Sequence, residues 1–268
     1  MQPLVVFGVT GRMGQSLLRA LASEPTLKLA GAVASAASAG LGKEAVQDGR
    51  ASGVLVSADA PAALRNAAVA VDFSPPQAVA AHAAACEAAG VPLLVGTTGL
   101  DTATRALLCA AARRIPLLLA ANTSLGVNVV ERLVFSAARS LGLAYDVDIL
   151  EAHHRMKRDA PSGTAVALGE AVAAARGQSL ADAAVFDRTG DPGERRPGSI
   201  GFAVVRAGDI VGEHTVIFAA DGERIEITHR AGDRMIFARG ALRAARWLIG
   251  RPAGLYGMQD VLSSQDEA

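Results

Sequence analysis

The stretch LVVFGVTGRMG, residues 4–14, decides how the rest of the chain is read. An apolar run is followed at once by Gly8, Gly11 and Gly14, and then by a helix-like segment rich in Ala and Leu. Strand, glycine turn and helix in this order form a GxxGxxG variant of the dinucleotide-binding turn. The glycines permit a tight bend, let backbone N–H groups approach a pyrophosphate and allow the helix to pack closely. Glycine-rich turns between strand and helix also occur for steric reasons alone, so the weight of this one depends on what surrounds it.

The surroundings repeat the same unit. Strand-like runs at Leu4–Val9, Lys28–Val33, Val69–Phe73, Leu93–Val95 and Pro116–Ala120 alternate with helix-like stretches at Met13–Ala22, Pro76–Ala89 and Asp101–Arg113. Alternation of this kind predicts a parallel sheet with helices on both faces. After about residue 145 the pattern changes. Tyr145–Glu151 reads as a strand, Gly163–Ala175 as a helix, and the polar Gly/Pro-rich residues 187–199 as a mobile loop. The strand-like runs Ile200–Arg206, His214–Ala219 and Arg224–His229 follow, the last two joined across Ala220-Asp221-Gly222. Met235–Leu248 is helical and expected to return to the first domain. The expected fold is therefore α/β, with a Rossmann-like domain formed by residues 1–124 plus 235–268. Residues 125–234 form a second, α+β domain on a mixed or antiparallel sheet.

Composition narrows the function classes. Hydrophobic residues make up 51% of the 268 and charged residues 19%, which excludes a disordered chain. Lys plus Arg and Asp plus Glu each total 26, so nothing global points to nucleic acid or an anionic membrane. The apolar run near the N-terminus is far too short to span a bilayer. Cys86 and Cys109 lack metal-ligand or CxxC spacing and read as buried free thiols. A soluble cytoplasmic protein is the expectation.

Further turns end strands on the side of the sheet that carries the glycine turn. They are Phe73-Ser74-Pro75-Pro76, Gly96-Thr97-Thr98-Gly99 and Asn122-Thr123-Ser124-Leu125-Gly126. Open α/β sheets bind ligands at the carboxyl ends of their strands, so these turns can surround one cofactor. One element of the pattern is missing. After the second strand, where an acid normally binds the adenosine ribose, stand Ser35 and Ala36. Arg12 remains as a cation that could face a 2′-phosphate.

The densest chemistry lies in EAHHRMKRDAPSGTA, residues 151–165. His153 and His154 offer acid/base chemistry near neutral pH. Lys157, Arg155 and Arg158 offer cations for a carboxylate. Pro161-Ser162-Gly163-Thr164 opens a helix, whose N–H groups form an anion site. Ser162 reads as an N-cap rather than a nucleophile, since no GxSxG elbow surrounds it. No further His/Cys/Asp cluster has metal spacing, so no metal is expected. Together these residues suit a small polycarboxylate that is protonated while it is reduced.

With the pieces GVTGRMG, VDFSPP, GTTG, ANTSLGVNV, EAHHRMKRDAPSGTA, RAGDIVGEHTV and GERIEITHRAGDRMIFARGA in view, the chain resembles the 4-hydroxy-tetrahydrodipicolinate reductase (dihydrodipicolinate reductase) family of lysine biosynthesis. The resemblance implies an NADH- or NADPH-dependent reduction of a cyclic dicarboxylate imine with loss of water, and a central domain that binds substrate and builds a homotetramer through its sheet. It implies His153 as proton donor/acceptor, Lys157 as proton donor, and His154, Gly163 and Thr164 as substrate contacts, with Ser162 beside them. For the cofactor it implies Gly8, Val9, Thr10, Gly11, Arg12 and Met13, then Gly96, Thr97 and Thr98, and finally Ala120, Ala121, Asn122 and Thr123. The chain departs from some members at Ser35-Ala36, at Thr123, where several carry phenylalanine, and at Met156, where some carry histidine. Two rivals stand beside this reading. Another Rossmann dehydrogenase of amino-acid biosynthesis should lack the His-His-Arg-x-Lys run, and a non-catalytic dinucleotide sensor needs neither paired histidines nor an anion site.

Overall fold

The structure is a computed structural model and describes residues 1–263. In chain order the elements are β1 (Gln2–Phe7), α1 (Arg12–Leu21), β2 (Leu27–Val33), β3 (Glu44–Gln47), β4 (Arg50–Ser57), α2 (Ala60–Leu64), β5 (Val69–Asp72), α3 (Pro76–Ala89), β6 (Leu93–Val95), α4 (Thr102–Ala111) and β7 (Pro116–Leu119). They continue with α5 (Leu125–Leu141), β8 (Asp146–His153), α6 (Gly163–Ala175), α7 (Leu180–Ala183), β9 (Ala184–Val185), β10 (Ile200–Arg206), β11 (Gly212–Ala220) and β12 (Glu223–Ala231). The last are α8 (Met235–Leu248), β13 (Gly254–Tyr256) and α9 (Met258–Ser263). The chain divides into two compact units, Met1–Leu125 with the chain from Met235 onward, and Gly126–Arg234. The span 264–268, assigned above to the first domain, lies outside the described residues.

The first unit holds a sheet of order β13-β7-β6-β5-β1-β2-β4-β3, parallel except for the β3–β4 hairpin. Its strands are apolar on both faces because both faces are covered. Leu4 and Val6 of β1 enter one core with Val71 of β5 and Ala238, Ala241 and Ala245 of α8. Val5 and Phe7 enter the opposite core, against Val79 and Ala83 of α3 and Leu108 of α4. The chain leaves β1 for β2 on one side and later reaches β5 on the other. Such a switch in direction opens a crevice at the carboxyl ends of the strands.

Several boundaries differ from the sequence reading. Strand β1 stops at Phe7, because Gly8 takes φ +73° and begins the turn. The segment 44–64 was read as neither strand nor helix, yet it forms β3, β4 and α2. The signal was present: Asp48 and Gly49, at φ 47° and 78°, make the two-residue turn that closes the hairpin. Helix α5 was also missed, although Val127, Val130, Val134 and Ala138 give it one buried stripe. Cys86 is buried as expected, but Cys109 is exposed.

The second unit is built on a mixed sheet of order β12-β11-β8-β10-β9. Strands β8, β10 and β9 run parallel, and β11 and β12 antiparallel to their neighbours. One face carries Val147, Ile149, Ile200, Phe202, Val216 and Phe218 into a core with α5 and α6. The carboxyl end of β8 passes from that core into polar residues. Instead of ending at Glu151, β8 continues to His153, so both side chains stand on the inner face of the sheet. The polar loop read as mobile is tied down at Arg195, which bonds Asp148 at 2.6 Å and the carbonyl oxygens of Val147 and Ser199 at 2.7 and 2.9 Å.

Candidate active site

In the second unit, alternate residues of β8 face inward, which places Glu151 and His153 side by side behind the apolar core. The Glu151 side chain is fully buried and accepts four hydrogen bonds. Arg206 of β10 gives two, each of 2.7 Å, to its two oxygens. The Ser162 N–H gives one of 2.9 Å, and His153 Nδ1–H one of 2.6 Å. Four donors saturate the lone pairs of a carboxylate, so the group stays ionised although buried. Burial pushes the Glu151 carboxyl up, but the bonds from Arg206, His153 and Ser162 together outweigh it and hold it below its usual range.

That carboxylate fixes the tautomer of His153. With Nδ1 committed to Glu151, the lone pair of the neutral ring lies on Nε2. Gly212 of β11 keeps that side open, since a Cβ there would come within 3.0 Å of Nε2. Burial lowers the His153 pKa, Glu151 raises it, and the charges of Lys157 and Arg206 lower it again, with a net position below the ordinary value. His214 of β11 meets the His153 ring edge-on at 5.2 Å and hydrogen-bonds Ser162 Oγ at 2.9 Å. Burial, and next the charge of His153, drive the His214 pKa down to about 4, so this ring is neutral. Its Nδ1 is buried without a hydrogen-bond partner.

Around this network the loop after β8 is polar and more exposed. Lys157 lies on Asp159, with Nζ at 2.7 and 2.9 Å from the two carboxylate oxygens, and it draws the Asp159 pKa down. His154 is half-buried and accepts a bond of 3.1 Å from Arg234 to its Nε2. Ser162 caps α6 by accepting the Ala165 N–H at 3.2 Å, as the sequence predicted. Gly163 is exposed with open space where a side chain would be, and Thr164 is half-buried. The structure thus gathers His153, Lys157 and Ser162 with three residues the sequence reading passed over as site members, Glu151, Arg206 and His214. Arg234 joins them through His154. A clue existed: charged or imidazole side chains at alternate positions of otherwise apolar strands must face a partner.

In the first unit the parallel strands β1, β5, β6 and β7 are neighbours, so the turns that follow them emerge at one edge. Gly14 packs α1 against the first turn, where a Cβ would lie 2.3 Å from Gly8 O. Thr10, Gly11 and Arg12 are exposed, Gly8 and Met13 half-buried, while Val9 turns its side chain into the core. No side chain caps α1 at Gly11, so the first N–H groups of this ten-residue helix stay open to an anion. A turn that only glycines let fold this tightly, beside an uncapped helix start, fits a dinucleotide pyrophosphate. Gly96, Thr97 and Ala120 are buried, Thr98 and Ala121 exposed, and Asn122 half-buried. Asn122 Oδ1 accepts the Ser124 N–H at 2.9 Å. Thr123 is buried and gives its hydroxyl to Phe237 O at 2.7 Å, so its side chain ties the turn to α8. Ser35 and Ala36 are exposed at the end of β2.

Comparison with known proteins supplies the context for both sites. The sequence model of the family described as "Dihydrodipicolinate reductase, N-terminus" matches residues 2–123, and that of "Dihydrodipicolinate reductase, C-terminus" matches residues 126–262. The 4-hydroxy-tetrahydrodipicolinate reductase of Thiobacillus denitrificans is 51% identical over 260 residues, 97% of each chain. A protein of the same name from Anaeromyxobacter dehalogenans is 51% identical over 264 residues, 98% of each chain. Among solved structures, a dipicolinate-bound dihydrodipicolinate reductase from Paenisporosarcina superposes with a TM-score of 0.77 over 97% of this chain and 99% of that one. At 21% identity this last likeness speaks to the fold.

Proposed function

The chain belongs to the dihydrodipicolinate reductase family, and from that membership we propose which residues perform its reaction. The protein is an oxidoreductase that reduces 4-hydroxy-tetrahydrodipicolinate, using NADH or NADPH, in the diaminopimelate route to lysine. The nicotinamide, when bound, supplies a hydride. The chain's own residues must hold a dicarboxylate, deliver a proton and keep the dinucleotide in place.

His153 delivers the proton. The observation that carries this assignment is its bond of 2.6 Å to a buried, saturated Glu151, which leaves Nε2 as the exchanging nitrogen. A ring whose pKa lies below the ordinary value is neutral in the free protein near pH 7. The negative charge of an arriving dicarboxylate raises that pKa, so substrate binding charges the ring for donation. Lys157, His154 and Arg234 lie in the exposed loop region and suit the substrate's carboxylates, Lys157 exchanging Asp159 for one of them. The start of α6, at Gly163 and Thr164, takes the other. Residues 8–13, 96–98 and 120–123 hold the dinucleotide, chiefly through backbone.

The test is a paired assay following nicotinamide oxidation with freshly prepared substrate. His153→Gln and Lys157→Ala should each still bind the dinucleotide while turning over far more slowly. Full turnover by either folded variant removes that residue from the mechanism. For assembly we propose a homotetramer, because Leu150 and Val205, on the sheet face away from the core, are 41% and 50% exposed. A second copy would cover them, and a monomer mass by light scattering would refute it. A cytoplasmic location agrees with the free thiols Cys86 and Cys109. Among the described residues, no helix is long and apolar enough to cross a membrane.

A further inference from the structure

A second carboxylate–imidazole pair, its carboxylate buried and its imidazole half-buried, lies in the first unit, apart from the residues assigned above. Asp72, the last residue of β5, is fully buried. Its Oδ2 lies 2.9 Å from Nδ1 of His82, and its Oδ1 accepts the Ser74 N–H at 2.7 Å. His82 stands on α3 and stacks on Phe7 of β1, with ring centroids 4.2 Å apart and planes 13° apart. Ser74 Oγ lies 3.3 Å from the same Nδ1. On the other side of the turn, Thr97 Oγ1 donates to Ser74 O at 2.9 Å. One chain of contacts thus runs from α3 through Asp72 and Ser74 to the turn after β6.

The residue held between these contacts is Phe73, and it limits both neighbouring glycine turns. A Cβ on Gly8 would lie 2.8 Å from Phe73 O, and a Cβ on Gly96 would lie 2.2 Å from the Phe73 ring. The backbone at Phe73-Ser74 is therefore a shared wall of the turns after β1 and β6. A buried carboxylate is costly unless it is bonded, and Asp72 takes its bonds from His82 and from the Ser74 N–H, so the pair is tied directly to this turn. We propose that Asp72 and His82 are positioning residues for dinucleotide binding: they fix the Phe73-Ser74 turn, and through it the glycine cradle, without touching the dinucleotide. This inference rests on the reading of the first unit as the dinucleotide site.

The experiment is a fluorescence titration of NADH and NADPH on the full chain, with melting curves for each variant taken in parallel. The variants are His82→Phe, which keeps the stack on Phe7 but loses Nδ1, His82→Asn, whose amide can restore the bond to Asp72, and Thr97→Val. His82→Phe and Thr97→Val should each raise the dinucleotide Kd by about tenfold, the worth of one hydrogen bond to a charged or buried group. The double variant should stay near tenfold rather than reach the product, because both act through one turn. His82→Asn should recover most of the affinity. The KM for the dinucleotide should rise with Kd, while the KM for the dicarboxylate stays within about twofold. If His82→Phe is too unstable to titrate, His82→Asn against Thr97→Val decides. Wild-type affinity in His82→Phe, no recovery in His82→Asn, or multiplying effects in the double variant would overturn the brace. Absence of dinucleotide binding by the wild-type chain would instead overturn the underlying assignment.

Discussion

In the second unit the candidate site is made of side chains, and in the first it is made of backbone. Glu151 takes bonds from Arg206, His153 and Ser162, and each of those groups has its own further contacts. The cradle of the first unit is three glycines and an uncapped helix start, with Phe73 against Gly8, and Thr123 on Phe237 O ties down the separate turn after β7. The contrast matches the two ligands. A small reacting dicarboxylate needs a proton at one atom, which only a side chain of tuned acidity supplies. A pyrophosphate needs many weak donors at close range, which peptide N–H groups supply when no Cβ intervenes. It follows that substitutions in the second unit should act on chemistry and pH response, and those in the first on affinity.

The largest expected effect comes from His153→Gln. Turnover should fall about 10²–10⁴-fold, the usual cost of a lost general acid. The dinucleotide Kd should stay within about twofold of wild type. The sequence reading ended this strand at Glu151, two residues before His153. On β8 it is 9% exposed, and glutamine keeps a polar group in a buried position. A parallel rise in dinucleotide Kd would show that the side-chain and backbone sites are not separable.

Next in size is the pH dependence of stability from His214. Its folded pKa is depressed from 6.5 to about 4, so the neutral ring is the form the fold favours. Above pH 6.5 both folded and unfolded chains are neutral here, and the contribution is complete. As pH falls from 6.5 towards 4 the unfolded chain takes up a proton that the folded one refuses. Stability then drops by about 1.4 kcal/mol per pH unit, about 3 kcal/mol in all. His153 and His229, also depressed, steepen the same window. His214→Gln can keep the bond to Ser162 Oγ and should flatten the slope by one proton in urea-unfolding series. An unchanged slope would mean that this histidine is protonated in the folded chain.

The first unit offers the converse test in Gly8→Ala. At φ +73° an alanine is strained, and its Cβ would meet Phe73 O at 2.8 Å. A cost of about 2 kcal/mol in stability is expected, with dinucleotide affinity lowered at least about tenfold and dicarboxylate binding retained. Loss of dicarboxylate binding with an intact fold would break the assignment of affinities to separate units.

How much of this was legible follows from the same contrast. The turn of the candidate backbone site was legible because Gly8 takes φ +73° and Gly14 packs where a Cβ would clash, and Pro76–Ala89, Leu93–Val95, Gly163–Ala175 and Met235–Leu248 were placed to the residue. The side-chain site was half legible. His153 and Lys157 stand in one dense segment, but Arg206 is 55 residues from Glu151 in sequence, and His214 is 52 from Ser162. Such pairs are set by sheet register, with Arg206 opposite His153 and His214 opposite Glu151, and no local pattern encodes register. The hairpin at Asp48-Gly49 was legible and overlooked, whereas α5 was hidden by valines that suit either strand or helix.

The smallest expected effect concerns which dinucleotide the backbone site prefers. On the proposed assignment its cradle holds a pyrophosphate common to NADH and NADPH, so discrimination falls first to the end of β2. There Ser35 and Ala36 are exposed and carry no charge. Without an acid the ribose hydroxyls lose a charged acceptor, which weakens NADH. Without a base a 2′-phosphate loses its cation, which weakens NADPH. A lost charged hydrogen bond is worth about 1.5–3 kcal/mol on either side, and the two losses oppose each other in the ratio. The absent acid also no longer repels phosphate, and the exposed Arg12 at the start of α1 is a remaining cation, so the tilt should favour NADPH. We expect kcat/KM values for the two within roughly a hundredfold, narrowing as salt screens the phosphate. Ser35→Asp should move the ratio towards NADH by restoring both the acceptor and the repulsion. A thousandfold preference in the wild type, at one ionic strength, would mean that side chains elsewhere read the ribose and that the first unit is less purely a backbone site than its glycines suggest.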